Sequence, residues 1–204
     1  MNRKAEIELR RIANILVYFA NNTENLGLTK ANKLLYYLDC LHLFRYGRVV
    51  IKDKYTKQWF GPVPTETYEK LNAIRIFNLS SEKDKKEFNL NQEIMFEYID
   101  IVPENIDTNC ILDRIIAKKE FESLWFSKSE IEIMEELSKK YCYTTANELT
   151  HKTHNESPYK KAEAGGDIDL KLFLKDNNMP QKDIDHIAHI EKEIASIALN
   201  YHGC

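Results

Sequence analysis

The first pattern along the chain is an amphipathic one, in which apolar residues recur every three or four positions. The apolar stripe runs from Ile7 to Phe19 through Leu9, Ile12, Ile15 and Leu16. This period predicts a helix with one buried face. The next segment, KANKLLYYLDCLHLFRYG, is apolar nearly all round, which predicts a helix through the centre of the domain. We expect Thr29 to cap its start and Gly47 to end it.

Extended structure is expected next, within GRVVIKDKYTKQWFGPVP. The β-branched run VVI and the alternating KYTKQWF predict two short strands or arms. Strand pairing is expected to stop at Pro62 and Pro64, since proline has no N–H to donate. Pro64 is also expected in the first turn of the helix TETYEKLNAIRIF. Gly61 permits a tight change of backbone direction. Trp59 is expected to pack inward and fix this corner, rather than outward toward a partner.

The middle of the chain, from 76 to 126, is interpreted as a variable insertion. Its segment SSEKDKKEFNLNQE is polar and predicts an exposed connection. The segment FEYIDIVP alternates well enough for a strand, whereas ILDRIIAKKEF fits either a helix or a strand.

Two capping boxes mark helix starts in the second half of the chain. Ser127 with Glu130, and Thr145 with Glu148, have the required spacing of three residues. Ser157-Pro158 opens a further helical turn that Gly165-Gly166 closes, DLKLFLKDNN predicts a short helix, and 181–200 predicts a helix with a mostly apolar stripe.

These elements predict a mainly α (α+β) fold, namely a compact helical domain with a small β-hairpin or sheet element and a C-terminal helix. We place the domain at 1–179 and the helical tail at 180–204.

Composition narrows the classes of function. The chain has 204 residues, of which 43% are hydrophobic, with 29 basic and 32 acidic residues. This balance does not favour nucleic acid as a partner. The sequence shows neither a signal peptide nor an apolar stretch long enough for a bilayer, so no membrane partner is expected. The cysteines form no CxxC pair and predict reduced thiols in a cytoplasmic protein: Cys40, Cys110, Cys142 and Cys204.

The two capped helices at 130–153 are compatible with a helix-turn-helix. In that interpretation the second helix would present Asn147, Thr150, Lys152 and Thr153 to base edges. The first helix is acidic, which disfavours a surface facing phosphates, and an αα-hairpin within a helical core explains the same pattern. A DNA-binding regulator of its own operon stays as an alternative.

Catalytic and metal-binding patterns are weak. His151 and His154 have helical i, i+3 spacing with Glu156 nearby, but no third ligand stands at a recognisable spacing. Cys40 and His42 occupy helical positions that point in different directions. The sequence has no GxSxG, HExxH or phosphate-binding glycine loop. We therefore expect no enzyme, cofactor or metal, with an enzyme of unknown substrate as the second alternative.

Three separated motifs resemble the Panacea domain, the SocA-like antitoxin family of bacteria and their phages. The resemblance covers roughly Ile7 to Asp176. The first motif is the run from Lys33 to Tyr37, followed by Gly47. The second comprises an aromatic arm, a glycine-proline-valine corner and a tyrosine in the next helix. The third is Glu148-Leu149, then a histidine and a proline-aromatic pair, where this chain has Tyr159 in place of the usual tryptophan. The motif residues expected to hold the fold or meet a partner are Lys33, Tyr36, Tyr37, Trp59, Phe60, Gly61, Pro62, Val63, Tyr68, His154, Pro158 and Tyr159.

The resemblance implies an antitoxin of a bacterial or phage toxin-antitoxin system that binds and neutralises a partner toxin. Two routes are implied, namely direct inhibition and delivery of the toxin to a ClpXP-type protease. Contact is expected around Trp59, Phe60 and Tyr159, with 181–200 as a second contact region. Whether the protein forms a homo-oligomer stays open.

Overall fold

The computed structural model describes residues 3–80, 93–107 and 110–201. These residues form mainly helices with two small antiparallel two-stranded sheets, so the expected fold class is confirmed. In chain order the elements are α1 (Arg3–Asn22), α2 (Leu28–Tyr46), β1 (Tyr55–Gln58), β2 (Gly61–Pro64), α3 (Thr65–Leu79), α4 (Glu93–Tyr98), β3 (Ile99–Asp107), β4 (Cys110–Ala117), a 3-10 turn (Ser123–Trp125), α5 (Lys128–Tyr141), α6 (Ala146–His154), α7 (Ser157–Lys161), α8 (Lys171–Asp176) and α9 (Gln181–Tyr201). Among them, no helix has the length and apolar character needed to cross a membrane.

Helix α2 is the central element, as its all-round apolar pattern predicts. It is buried from Lys30 to Cys40, and it packs against α5, α6, α8 and β2. Gly47 ends it in the left-handed conformation, with φ of 69° and its N–H donating to the Leu43 carbonyl. Thr29 is not the N-cap: that position belongs to Gly27, which has no side chain to cap the helix, so the expected cap is wrong. The helix begins earlier because the Gly27 carbonyl already accepts from the Ala31 amide at 2.9 Å.

Of the two alternatives expected for the segment VVI, a short strand or an extended arm, the strand does not form. The amides of Val50 and Ile51 instead donate to one carboxylate oxygen of Asp39, at 2.7 and 2.8 Å. Asp39 lies in α2, eleven residues before Val50. A side chain from the neighbouring helix therefore takes the backbone donors that a strand partner would have used.

The sequence around WFGPVP forms the turn and second strand of a β-hairpin. Strands β1 and β2 pair antiparallel, with Lys57 opposite Pro62 and Tyr55 opposite Pro64, so the expectation that the prolines stop pairing is wrong. The prolines are tolerated because the main-chain groups of Lys57, opposite Pro62, bond on the other side of the strand. The Lys57 amide donates to the Gly166 carbonyl, and the Lys57 carbonyl accepts from the Gly165 amide, both at 2.9 Å. Both prolines thus occupy positions of the ladder where no N–H is required.

Helix α3 starts immediately after this hairpin. Pro64 is its N-cap residue rather than part of its first turn, and it offers no side-chain bond. The missing cap is supplied by Asp53, whose carboxylate accepts from the amides of Glu66 and Thr67 at 3.1 and 2.7 Å. A carboxylate at this position also interacts favourably with the helix dipole.

The middle of the chain contributes to the main core. The segment FEYIDIVP begins in α4 and continues into β3, and ILDRIIAKKEF provides β4. Met95, Ile99 and Ile115 are buried, and the Ile115 amide donates to the Leu26 carbonyl at 2.8 Å. The polar segment expected to be an exposed connection lies mostly within 81–92, outside the described residues. The interpretation of 76–126 as an insertion stays a prediction.

Both predicted capping boxes are present at the starts of α5 and α6. The tail helix is present as α9. Its first turns pack through Ile184 and Ile187 on Leu43 and Leu174, forming a small second core beside the main one.

Candidate functional site

The hairpin of β1 and β2 is held to the helices by bonds to its own main chain. The Pro62 carbonyl accepts from the Lys33 ammonium at 2.9 Å, the Phe60 carbonyl from the Thr150 hydroxyl at 3.2 Å, and the Gln58 carbonyl from the Tyr159 hydroxyl at 3.0 Å. We call the three donor residues, together with His154, which stacks on Tyr159, the hairpin clamp. Because these bonds go to main-chain atoms, the clamp fixes the path of the backbone and leaves the side chains of the turn free.

Lys33 is the most deeply buried member of the clamp, with none of its surface exposed. Burial lowers the pKa of its ammonium from 10.5 to about 7. Gly61 passes directly over it: a Cβ there would lie 2.6 Å from the Lys33 Cε and 2.9 Å from the Thr153 Oγ1. Gly61 also has a φ of 100°, which disfavours any residue with a Cβ. Only glycine therefore fits between the hairpin and the clamp.

His154 and Tyr159 form the outer part of the clamp. Their rings stack with centroids 4.1 Å apart, and the Lys57 ammonium lies 4.7 Å from the Tyr159 ring centroid. Burial, together with the nearby charges of Lys33 and Lys57, lowers the pKa of His154, while the neighbouring Trp59 main chain acts in the opposite direction. The imidazole is therefore held in the neutral form beside two lysines.

The tyrosines of the first motif bind a carboxylate under α7. Tyr36 and Tyr37 donate their hydroxyls to the two oxygens of Glu156, at 3.1 and 2.8 Å. Burial raises the pKa of Glu156, although both hydroxyl bonds act in the opposite direction. Tyr37 also stacks on Tyr141, with ring centroids 5.5 Å apart. This network joins α2 to the turn before Pro158, which is itself buried.

Trp59 and Phe60 are the two residues of the hairpin turn, between the paired residues Gln58 and Gly61. We call them the hairpin tip. Trp59 is 84% exposed and Phe60 is 60% exposed. The expectation that Trp59 packs inward is therefore wrong. In a turn of only two residues the backbone reverses at once, and here both side chains project beyond the sheet, away from the helices beneath it.

The elements that hold the hairpin tip carry an excess of lysine. Lys57 lies in β1, Lys152 in α6, and Lys160 and Lys161 in α7. Among them, the Lys57 ammonium lies 4.7 Å from the Tyr159 ring centroid, beside the residue that bonds the Gln58 carbonyl. The Lys152 ammonium is instead turned to the Tyr141 hydroxyl, so the positive charge that the structure places next to the tip is that of Lys57.

The family profile described as "Antitoxin SocA-like, Panacea domain" matches residues 32–160, more than half of the chain. The chain belongs to this family. The matched range is shorter than the range of resemblance read from the motifs, but it contains the hairpin tip and the complete hairpin clamp. Comparison with curated proteins and comparison with solved structures each gave no match.

The remaining predicted motif residues of the Panacea domain lie beside this site. Val63 is buried in β2, and Tyr68 is 37% exposed in α3. The predicted set therefore contains interior residues, of which Lys33 and Tyr159 bond the hairpin, and exposed aromatic residues, of which Trp59 and Phe60 are more exposed than Tyr68. Sequence reasoning missed Thr150 as a member of the clamp, since its pattern was interpreted only in terms of DNA.

The residues proposed to read DNA do not share one exposed face. Thr153 is fully buried, and Thr150 is bonded to the Phe60 carbonyl. Asn147 and Lys152 remain exposed. In the Panacea domain α6 therefore turns one side toward the hairpin, which leaves two of the four expected contacts unable to reach bases.

The residues of the weak catalytic patterns bind other groups rather than one another. Asp39 binds the amides of Val50 and Ile51, whereas the ring of His42 contacts the Arg48 carbonyl at 2.7 Å and the Ser129 hydroxyl at 3.1 Å. Burial raises the pKa of the Cys40 thiol well above its ordinary value, which disfavours a thiolate nucleophile. Within the described ranges, no group of three or more His, Cys, Asp or Glu is placed to hold a metal ion.

Proposed function

We propose that this Panacea domain is a non-enzymatic antitoxin that neutralises a protein toxin by direct contact through the hairpin tip. The observation that carries the proposal is the exposure of two large aromatic rings on a turn whose main chain is fixed by the clamp. Tryptophan is among the residues that most often dominate binding energy at protein interfaces.

Rigidity of the turn favours binding. Ordering a mobile loop on association costs free energy, and a turn that is already fixed avoids most of that cost. The main chain on both sides of Trp59 is bonded to α6, α7 and α2 before any partner arrives. The rings of Trp59 and Phe60 can therefore enter an apolar pocket with little loss of backbone freedom.

Charge indicates the character of the partner surface. The Lys57 ammonium lies beside the Tyr159 ring, next to the strand end that carries the tip. An apolar pocket with an acidic rim complements this arrangement, and such complementarity speeds association and excludes wrong partners.

Direct inhibition and delivery to a ClpXP-type protease both require this contact, but they differ in the fate of the toxin. Direct inhibition leaves the amount of toxin unchanged in cells with and without the protease. An adaptor lowers the amount only when the protease is present. Immunoblots of tagged toxin in the two strains distinguish the routes, and we expect no difference between them.

The test is coexpression with the neighbouring reading frame whose product arrests growth when expressed alone. The wild-type chain is expected to restore growth and to co-purify with that product. Trp59→Ala combined with Phe60→Ala should abolish both effects while changing the unfolding free energy by no more than about 0.5 kcal/mol, as is usual for exposed positions.

The matched control is Leu124→Ala, which truncates an apolar side chain that is 99% exposed on a different element. It should restore growth and co-purify as the wild type does. If the wild-type chain neither restores growth nor co-purifies with the product of either adjacent frame, the proposed function is wrong.

A further inference from the structure

Helix α9 is attached to the domain only along its first half. Ile184 and Ile187 are buried in the second core against Leu43 and Leu174. One turn further on, Glu191 accepts from the Lys171 ammonium at 3.0 Å. Beyond Glu191, the bonds recorded for described side chains stay within α9, as in the Ser196 hydroxyl that donates to the Glu193 carbonyl.

The second half of α9 presents apolar side chains to solvent. Ile190 is 37% exposed, Ile194 is 62% exposed and Ile197 is 56% exposed. Their spacing of four and then three residues places them on one face of the helix, which we call the isoleucine stripe. A short helical segment is marginal in water unless its apolar face is packed against something.

We propose that the isoleucine stripe is a second docking element for the toxin, and that it enters an apolar groove with a basic rim. The proposal rests on the proposed function. Anchors at positions i, i+4 and i+7 are the pattern by which a single amphipathic helix binds in a groove. The carboxylate of Glu193 flanks the stripe on the side away from the Glu191–Lys171 ion pair, whereas Lys192 lies on the opposite side of the helix.

A second copy of this chain fits the stripe less well. Pairing two α9 helices along the stripe brings Glu193 of both copies to the same seam, where like charges repel. The stripe also extends over only about 10 Å of helix. A contact of that length between two copies stays below the roughly 1,200 Å² that specific interfaces bury.

The isoleucine stripe is large enough to serve as a second contact with a toxin that already binds the hairpin tip. Two linked contacts on one partner raise the affinity beyond that of either alone, because the second forms within the complex. The hairpin tip lies inside the matched range of 32–160, and α9 lies outside it. The tip thus belongs to the part of the chain shared with the family, and α9 adds a separate surface that can select one toxin.

The experiment measures binding of the full-length chain to the toxin used above, purified as an inactive variant, by titration calorimetry. The stripe variant combines Ile190→Gln, Ile194→Gln and Ile197→Gln, since glutamine preserves helix propensity. The matched control places three glutamines on the opposite exposed face, as Asp185→Gln, Lys192→Gln and Ser196→Gln, which leaves the net charge unchanged. Each protein is also examined for self-association by light scattering and for co-sedimentation with phosphatidylglycerol vesicles.

We expect the Kd of the stripe variant to be on the order of tenfold to hundredfold higher than that of the wild type, and the control to bind as the wild type does. Glu193→Lys should weaken binding more at low salt than at high salt. Unchanged toxin binding by the stripe variant overturns the proposal while the proposed function stands, provided that the hairpin-tip variant still loses binding. A stripe variant that loses only self-association, or only vesicle binding, assigns the stripe to a second copy or to a lipid surface and likewise overturns it. If the wild-type chain itself does not bind, the proposed function fails first.

Discussion

At the scale of single residues, Lys33 and Asp39 of α2 are both completely buried, and neither has an opposite charge among its hydrogen-bond partners. Lys33 binds only the Pro62 carbonyl. Asp39 binds two amides and lies 2.8 Å from the Tyr55 hydroxyl, which in turn lies 3.0 Å from the Leu35 carbonyl. A protonated Asp39 gives each of these contacts a donor, because its carboxyl donates to the Tyr55 hydroxyl and the Tyr55 hydroxyl donates to the Leu35 carbonyl. Both groups are accommodated best when neutral.

Asp39 should make the protein less stable as the pH rises. Burial raises its pKa from 3.8 to about 7, so the folded state binds more protons than the unfolded state between these values. Its contribution to the unfolding free energy is complete below about pH 4 and is lost as the pH approaches 7, with a slope of at most about 1.4 kcal/mol per pH unit. Asp39→Asn should remove this fall in urea titrations between about pH 4 and pH 8.

Two comparisons make the Asp39 result specific. Asp185→Asn, at an exposed position, should keep the wild-type fall. Asp39→Ala should destabilise at every pH, by about 1–3 kcal/mol for each of the two amides left unpaired. A fall that persists unchanged in Asp39→Asn contradicts the assignment.

Lys33 should act in the opposite direction at higher pH. Its pKa falls from 10.5 in the unfolded chain to about 7, so the unfolded state binds more protons between these values. The unfolding free energy should therefore rise with pH from about 7 to about 10. Lys33→Met should abolish the rise in urea titrations, whereas Lys182→Met, at an exposed position, should retain it. A rise of wild-type slope in Lys33→Met would show that another group causes it.

At the scale of elements, the hairpin depends on the space above Lys33. Gly61→Ala should lower the unfolding free energy by about 2–4 kcal/mol, because the new Cβ meets both a left-handed φ and the Lys33 side chain. Gly165→Ala is the matched variant, since Gly165 also has a positive φ but no atom within 4 Å of the added Cβ. It should cost only about 1–2 kcal/mol. Equal losses in thermal unfolding of the two variants would mean that crowding plays no part.

The helices were largely predictable from the sequence, because their signals are local. Spacing of apolar residues and the Ser127 and Thr145 capping boxes depend on residues within a turn or two. Two of the failures concern backbone groups whose partners lie outside the segment itself, eleven residues away for Val50 and more than a hundred for Lys57. The VVI segment has the composition of a strand, but Asp39 takes its amides. The prolines of β2 are tolerated because Gly165 and Gly166 satisfy Lys57 from the other side.

Most residues of the hairpin clamp were predicted as motif residues, but their arrangement around the hairpin was not. Lys33, His154 and Tyr159 were identified through the family motifs, without any indication that they bind the same turn. Their convergence requires α2, α6 and α7 to meet at the hairpin, which is a tertiary result. The outward direction of Trp59 follows from the two-residue turn, and that turn could not be predicted while pairing was expected to stop at Pro62.

At the scale of the whole molecule, α9 divides into a part that supports the fold and a part that does not. Removing residues 192–204 should leave the unfolding free energy nearly unchanged, since the recorded side-chain contacts of the described residues there stay within the helix. Removing residues 181–204 should cost about 3–5 kcal/mol, because it uncovers the surface of Leu43 and Leu174. Chemical denaturation of both truncated proteins checks this contrast, and equal stability of the two would contradict it.

The exposure of Trp59 has a spectroscopic consequence. The chain contains two tryptophans, and the other is Trp125 in the 3-10 turn. Replacement of Trp125 by phenylalanine leaves the hairpin tip as the sole source of indole fluorescence. An indole in water emits at long wavelength and is quenched readily by acrylamide, and enclosure in a partner's pocket reverses both properties. The protein thus carries a built-in optical reporter at the position where we expect its partner to bind, and association can be followed in solution without a label.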